Sequence, residues 1–294
     1  MSFSDMTTCR LTHQNNILTH YRNNTAMFNF ISFGSGSSGN CYLLYTTEEA
    51  VMIDAGVGIR SLRKSMHDYG ITFDDKIKAI LLTHDHTDHV KSVGSMSEKL
   101  NLPVYATPEV HAGIERNYCV KRKIAPCNRR MLEKGTAIDI AGFEITPIGV
   151  PHDSSDNVGY VIRRDGVTFS FFTDAGHVTE EMTHAIRHSD YLVIEANYSP
   201  ELLASGHYPL HLQERIRNGY GHLSNTQCAD TLAKCYDGRL RHVWLCHLSE
   251  ENNHPDIARD TVADRLRGEG IGVDSDLRLT TLRRRLPTGA FCIE

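Results

Sequence analysis

The turn from His84 to His89 crowds together four candidate metal donors: His84, His86, Asp88 and His89. They follow Ile80-Leu81-Leu82, an apolar run that reads as a buried strand. Their offsets of i, i+2, i+4 and i+5 do not match a helical His-x-x-x-His site, in which both ligands lie one turn apart on one face. An irregular turn behind a strand suits them better. In such a turn His84 and His86 can converge on one cation while Asp88 and His89 point to a second. A lone loop histidine is ordinarily solvated punctuation, but four donors crowded behind a buried strand read as a metal site.

Further donors close later apolar runs. His152 follows Gly149-Val150-Pro151 and could complete a three-histidine set with His84 and His86. Asp174 ends Phe171-Phe172-Thr173 and could bridge two cations, and His247, after Leu245-Cys246, would finish the second cation's shell. Each alone is more often a hydrogen-bonded strand-end residue than a ligand; together they supply seven donors for two cations. Asp54 enters the turn Asp54-Ala55-Gly56. It is either a local cap or an acceptor that orients a metal-binding histidine.

Two other stretches suit anions. Gly34-Ser35-Gly36-Ser37-Ser38-Gly39-Asn40 lies between two strands and lacks the Gly-Lys-Ser/Thr ending of a P-loop. Read blandly it is a hairpin turn. Its backbone N–H groups with Ser35, Ser37, Ser38 and Asn40 could instead hold a phosphate beside the metals. Gly221-His222-Leu223-Ser224-Asn225 opens a helix, with Ser224 or Asn225 at the N-cap, and is a second possible anion site.

The elements that must position these residues are legible in outline. Strands are expected over 28–33, 41–45, 50–54, a core run near 79–82, 104–106, 143–149, 158–163, 167–173, 191–195 and 277–282. Helices are expected over 60–69, up to 100, from Pro108, over 226–235 and near 255–268. The strand-rich blocks 28–54 and 143–173 suggest two similar halves. Residues 1–26 are polar and aperiodic and read as a loosely held arm, with Met27 a possible start; 27–294 reads as one catalytic domain. The basic, aperiodic stretch 117–137 reads as a surface insertion.

The 294 residues, 40% hydrophobic, can bury a sizeable core. No apolar run approaches membrane-spanning length and no secretory leader is visible. The eight cysteines, without paired spacing, are expected to be reduced thiols in the cytoplasm. A net charge of −5 taken alone argues against nucleic acid, yet two divalent cations would nearly cancel it, and Lys121-Arg122-Lys123, Arg129-Arg130 and Arg283-Arg284-Arg285 are basic clusters.

Thr83 to His89, with the strand-end Asp54, His152, Asp174 and His247, resembles the metallo-β-lactamase superfamily from about Met27 onward. Gly36 to Cys41, Pro151-His152-Asp153, Glu195-Ala196-Asn197, Gly221 to Asn225 and His247 to Asn253 look like the YycJ/WalJ group within it. The resemblance implies an α/β fold, a four-layer αβ/βα sandwich, with a dinuclear site at one edge of the paired sheets and 5′-to-3′ exonuclease or related phosphodiesterase activity on DNA. It implies that His84, His86 and His152 bind one metal, that Asp88, His89 and His247 bind the other, and that Asp174 bridges. His177 departs from the group's pattern, and there is no room for the inserted second domain of the β-CASP nucleases.

Imidazole and carboxylate ligands suit zinc, manganese or iron. A water shared by two such ions would have its pKa brought down to roughly 7, giving a hydroxide nucleophile, with Asp88 orienting it and taking its proton and His222 either assisting the leaving oxygen or holding a terminal phosphate. The rival reading is an acyl hydrolase acting on a thioester, lactone or β-lactam. A metal-bearing binding or redox module is a third.

Overall fold

The computed structural model describes residues 28–72 and 76–294; the arm expected over residues 1–26 lies outside them, as does Met27. The first half runs β1 (Phe28–Gly34), β2 (Cys41–Tyr45), β3 (Ala50–Ile53), α1 (Ile59–Asp68), β4 (Ile77–Leu81), α2 (Thr87–Val90), α3 (Val93–Leu100), β5 (Val104–Ala106), α4 (Pro108–Arg116) and β6 (Arg129–Met131). The second runs β7 (Ile138–Ile140), β8 (Phe143–Gly149), β9 (Val158–Arg164), β10 (Val167–Phe172), α5 (Glu180–Arg187), β11 (Tyr191–Glu195), α6 (Pro200–Ser205), α7 (Leu210–Arg217), α8 (Asn225–Cys235), β12 (His242–Cys246), α9 (Pro255–Gly268) and β13 (Arg278–Thr281). A final strand, β14 (Thr288–Ile293), returns to the first sheet.

The sheet orders are β14-β1-β2-β3-β4-β5-β6 and β13-β12-β11-β10-β9-β8-β7. Each combines an antiparallel meander, β1-β2-β3 or β8-β9-β10, with parallel strands added beyond it, β4-β5-β6 or β11-β12-β13. The two halves therefore repeat one plan.

Alternation along the strands builds the layers. Phe28 and Phe30, Tyr42 and Leu44, and Val51 and Ile53 face the second sheet's Phe143, Phe169, Val193 and Trp244. Ile31, Leu43 and Met52 point the other way, against Leu62 and Met66 of α1 and Val110 and Ile114 of α4. In the second sheet Leu192, Ile194, Val243 and Leu245 pack outward on α5, α8 and α9. The result is helix, sheet, sheet, helix. The central layer is aromatic, with Phe28 edge-on to Phe143 at 5.4 Å and Phe30 tilted over Trp244 at 4.9 Å. Such pairs add about 0.5–1.5 kcal/mol each beyond their buried area.

Local signals explain where the helices begin. Thr107 caps α4 with Pro108 at its first position, and Ser224 and Gln227 form a reciprocal capping box on α8. The stretch expected as a surface insertion is partly sheet: Arg129–Met131 pairs with β5 as an edge strand.

Candidate metal centre

Because β3 and β4 are parallel, and β10, β11 and β12 are parallel, their carboxyl ends arrive at common edges of the two sheets. Those ends deliver Asp54, Thr83 and His84, Asp174, Glu195 and His247. The seam between the sheets is closed there by Tyr160 Oη donating to Leu82 O (2.5 Å) and by the His247 N–H donating to Ser35 Oγ (2.9 Å). Asp54, Asp174 and His247 hold left-handed backbone angles, φ 59°, 50° and 52°. Non-glycine residues pay of order 1 kcal/mol or more for that conformation, and such outliers gather at functional sites.

The donors fall into overlapping groups, each with ligand atoms within 4.8 Å of one another: His84, His86 and His152; Asp88, His89 and His247; and His84, His89 and Asp174. The first two are the ligand sets expected from sequence, and Asp174 lies against both. A fourth group joins Asp174 and His247 to Glu195 and His222.

Hydrogen bonds leave one ring nitrogen of each clustered histidine turned to the others. His84 Nδ1 donates to Thr83 Oγ1 (3.0 Å), and His84 Nε2 is buried without a partner. His89 Nδ1 donates to Asp54 Oδ2 (2.7 Å) and His152 Nδ1 to Gly221 O (2.8 Å). His86 Nε2 donates to Asp153 O (3.2 Å), and its Nδ1 lies 3.2 Å from His152 Nε2. His247 Nδ1 is 3.0 Å from Glu195 Oε1 and its Nε2 3.4 Å from Asp88 Oδ2. Fixing one nitrogen as donor presents the other as a lone pair, the arrangement a metal ion requires. Asp54 also accepts from the Thr83 N–H (2.9 Å) and hydroxyl, so one buried carboxylate holds both Thr83 and His89.

Electrostatics point the same way. Asp54, Asp174 and Glu195 are buried, and the opposite charges recorded beside them, as beside Asp88, come from histidines. Burial alone would raise the Asp174 carboxyl, but His247 and His89 outweigh it and hold it well below the usual range. For Asp88, too, His89 and His247 overcome the effect of burial and lower the carboxyl. Burial would lower His247, yet Asp174, Asp88 and Glu195 push it up to about 10, and Asp174, Asp54 and Asp88 likewise raise His89. His84 is instead pulled well down, by burial first and His89 second. These carboxylates attract cations, and divalent ions compete with protons for the same lone pairs. The buried, unpartnered His84 Nε2 and the donor set therefore fit divalent metals.

His222 stands beside the ligand groups. Its Nδ1 donates to Glu195 Oε1 (2.8 Å), and that carboxylate overcomes burial to raise the imidazole above its ordinary value. Glu195 also accepts from the backbone N–H groups of Ala175 (2.8 Å) and Leu223 (3.1 Å). Sequence reasoning gave Glu195 no role, although a carboxylate closing an apolar strand is the signal that picked out Asp54 and Asp174.

The anion-binding expectations need correcting at four positions. Ser35 is buried, and its Oγ accepts from Tyr42 Oη (2.9 Å) and from the His247 N–H. Asn40 spans Gly36 with both ends of its amide, and its nitrogen reaches Asp88 Oδ2 (3.1 Å), so it positions a candidate ligand. Ser224 is the N-cap of α8, and Asn225 exchanges hydrogen bonds with Asn253. Ser37 and Ser38 remain exposed. His177 is outside the ligand groups; its Nδ1 donates to Gly219 O (2.7 Å) at the rim.

His86, Asp88, Asp174, His222 and His247 line a cleft of about 230 Å³. Its lining also includes Ser37 and Ser249, and Tyr208, Leu212 and Ile216 from α7 and the turn before it. Arg215 Nε pairs with Asp153 Oδ2 (2.5 Å) and ties α7 to the His152 loop. No helix signal was read from sequence for 200–217, so this wall was missed.

Residues 49–247 match the family described as the beta-lactamase superfamily domain. The chain is 30% identical over 252 residues to the exodeoxyribonuclease WalJ of Streptococcus pneumoniae serotype 2, covering 86% of this chain and 93% of that protein. It is 28% identical over 259 residues to the exodeoxyribonuclease YycJ of Bacillus anthracis, covering 88% and 97%. The metallo-beta-lactamase fold protein YhfI from Bacillus subtilis superposes with a TM-score of 0.65 at 15% identity, over 89% of this chain and 99% of that one. With the αβ/βα layers and the histidine and carboxylate groups at their seam, these likenesses identify a metal-dependent hydrolase that belongs to the beta-lactamase superfamily.

Proposed function

We propose that the protein is a DNA exonuclease or related phosphodiesterase that works with two divalent metal ions. The observation that carries this is the pair of three-donor groups, His84, His86 and His152 beside Asp88, His89 and His247, with Asp174 against both and His86, Asp88, Asp174 and His247 lining one cleft. His84, His86 and His152 would hold one ion, Asp88, His89 and His247 the other, and Asp174 would contact both. Zinc, manganese and iron all suit such donors. Ions held there would draw charge from a phosphodiester oxygen and bring the pKa of water to roughly 7. The two likenesses to proteins named exodeoxyribonucleases favour a phosphodiester over an acyl substrate.

The chain's own groups divide the remaining work. Asp88, whose carboxyl lies well below the usual range, is ionised at neutral pH and can accept a proton from attacking water. Asn40 and His247 fix its Oδ2 in place. His222, held by Glu195 and raised toward the protonated form, lines the cleft and can give a proton to the leaving oxygen. The Tyr208, Leu212 and Ile216 wall limits water on one side.

The test is digestion of 5′-phosphorylated, end-labelled duplex DNA in manganese or zinc, wild type against Asp88→Ala. Progressive loss of label in the wild type alone is expected. Equal turnover by Asp88→Ala, or hydrolysis of a thioester or lactone with DNA left intact, would overturn the proposal.

A further inference from the structure

The metal cleft does not end at Ser37. Behind the Gly-Ser loop lies a second hollow of about 280 Å³, whose lining includes Lys91, Arg284 and Arg285 with the hydroxyls of Ser38, Ser61 and Ser65, and no carboxylate. A third hollow, of about 570 Å³, shares Arg284 and Arg285 and adds Arg283, together with one carboxylate, Glu250, which is paired to Arg285. Leu248 lines this third hollow and Ser249 lines the metal cleft, while Ser37 and Ser38 divide the first from the second. The loop thus lines the first two depressions and meets the third through Leu248 and Arg284, which lie against Gly36.

In a chain of net charge −5, a hollow with three cations and no acid is not what average composition delivers. Arginines elsewhere on the surface are commonly matched, as Arg122 is to Glu98 and Arg265 to Asp230. Arg285 meets Glu250 (2.6 Å), but Lys91, Arg283 and Arg284 have no carboxylate partner among the described residues. Lys91 and Arg284 are held by neutral groups instead. The Lys91 ammonium donates to Ser38 O (2.5 Å), and the Arg284 guanidinium donates to Leu248 O (3.0 Å) and Asn253 O (3.1 Å). Backbone carbonyls fix the position of these cations without cancelling their charge, which pre-organises them for an anion from outside. Near Tyr208, Leu212 and Ile216 the cleft has one cation, Arg215, and Asp153 already pairs with it.

We propose that the groove around the Gly-Ser loop, from Ser37 past Lys91 to Arg283, holds the phosphates of a nucleic-acid strand beyond the one at the metal cleft. This rests on the nuclease reading. The strand leaves the cleft on the basic side, and the apolar α7 wall faces the nucleotide at the cut. A repeating anion is the ligand whose charges extend along successive hollows, whereas a free phosphate would fill only one.

The test measures binding to metal-free protein in chelator, by fluorescence anisotropy with labelled single strands of four and twenty nucleotides at 50 and 200 mM salt. Wild type is compared with Lys91→Gln/Arg283→Gln and with Lys121→Gln, which lines none of the three hollows. Each phosphate contact contributes about 0.7 to the salt slope for a single strand, so losing two should spare the double variant about sevenfold of the wild type's loss in affinity across that fourfold rise in salt. The twenty-nucleotide strand should lose more affinity than the four-nucleotide one, and Lys121→Gln should match wild type. Both substituted side chains are exposed, so the fold should survive, and melting curves check this. If wild type digests DNA and the double variant keeps its salt slope and strand affinity, the track alone is overturned. If inorganic phosphate displaces both strands equally, with no effect of length, the track is also overturned. If wild type neither binds nor cuts DNA, the nuclease reading falls and takes the track with it.

Discussion

Glu195→Gln separates a positioning carboxylate from a spectator. Glu195 is wholly buried and accepts four hydrogen bonds: Oε2 from the N–H groups of Ala175 and Leu223, Oε1 from His222 Nδ1 and His247 Nδ1. Glutamine keeps the volume but has one acceptor oxygen. If that oxygen faces the histidines, the amide NH2 abuts two buried backbone donors. Each donor left without an acceptor costs about 1–3 kcal/mol, so stability should fall by roughly 2–6 kcal/mol. If the amide flips, its NH2 faces both Nδ1 atoms, and the rings must carry their protons on Nε2. In His247 that nitrogen faces Asp88 and is the one a metal needs. Losing such an orienting partner typically weakens metal binding or activity by about 10–100-fold. Chelator competition gives the metal affinity, and turnover in saturating metal gives the remainder. The first orientation predicts a destabilised protein whose activity recovers with metal, and the second a loss that persists. Wild-type affinity, stability and turnover together would refute the role assigned to Glu195.

Three further outcomes are expected. In Gly56→Ala the new Cβ would stand 1.6 Å from Asp88 O, a backbone atom that also accepts from the Asn40 N–H (2.8 Å). The turn holding Asp88 must shift, costing about 1–3 kcal/mol by denaturant titration and reducing turnover. Burial, with Arg278 assisting, lowers His242 to about 4. The folded form therefore binds fewer protons than the unfolded chain, and the neutral ring's contribution is complete above the unfolded value near 6.5 and declines as pH falls toward 4. Wild type should lose about 2 kcal/mol more than His242→Phe between pH 7.5 and 5.0, and equal losses would contradict the shift. Chelation should lower the melting temperature, and metal at a hundred times its dissociation constant should restore about 2.7 kcal/mol per site. A melting curve indifferent to chelator and metal would count against the centre.

Most of the centre was legible because one local rule finds it: a donor placed where an apolar strand stops. That rule picks out Asp54, His84, Asp174 and His247, and the offsets within residues 84–89 supply the rest of the turn. Strand limits such as Val104–Ala106 and Phe143–Gly149 followed from the same alternation and punctuation. Polar residues whose partners are distant in sequence were not legible. Ser35 looked like a phosphate ligand until His247 closed on it from 212 positions away, and Asn40 serves Asp88 across 48. The α7 wall was missed because its apolar residues face a cleft, so they carry no core periodicity.

The left-handed angles at Asp54, Asp174 and His247 tie the fold to the chemistry. Each residue follows a strand whose neighbours are buried on both faces, where continuing in extended form would carry a charged side chain away from the seam between the sheets. A left-handed residue reverses the backbone within one step, and aspartate and histidine are among the non-glycine types that tolerate it best. Glycine would relieve the strain, but it would supply no donor. Chain geometry thus favours a carboxylate or an imidazole at the place where a metal ion needs one. These positions consequently carry opposing demands: Asp54→Gly should ease the backbone by of order 1 kcal/mol while stripping His89 and Thr83 of their acceptor, and the second effect, two or more buried hydrogen bonds to a charged group at about 1.5–3 kcal/mol each, should dominate.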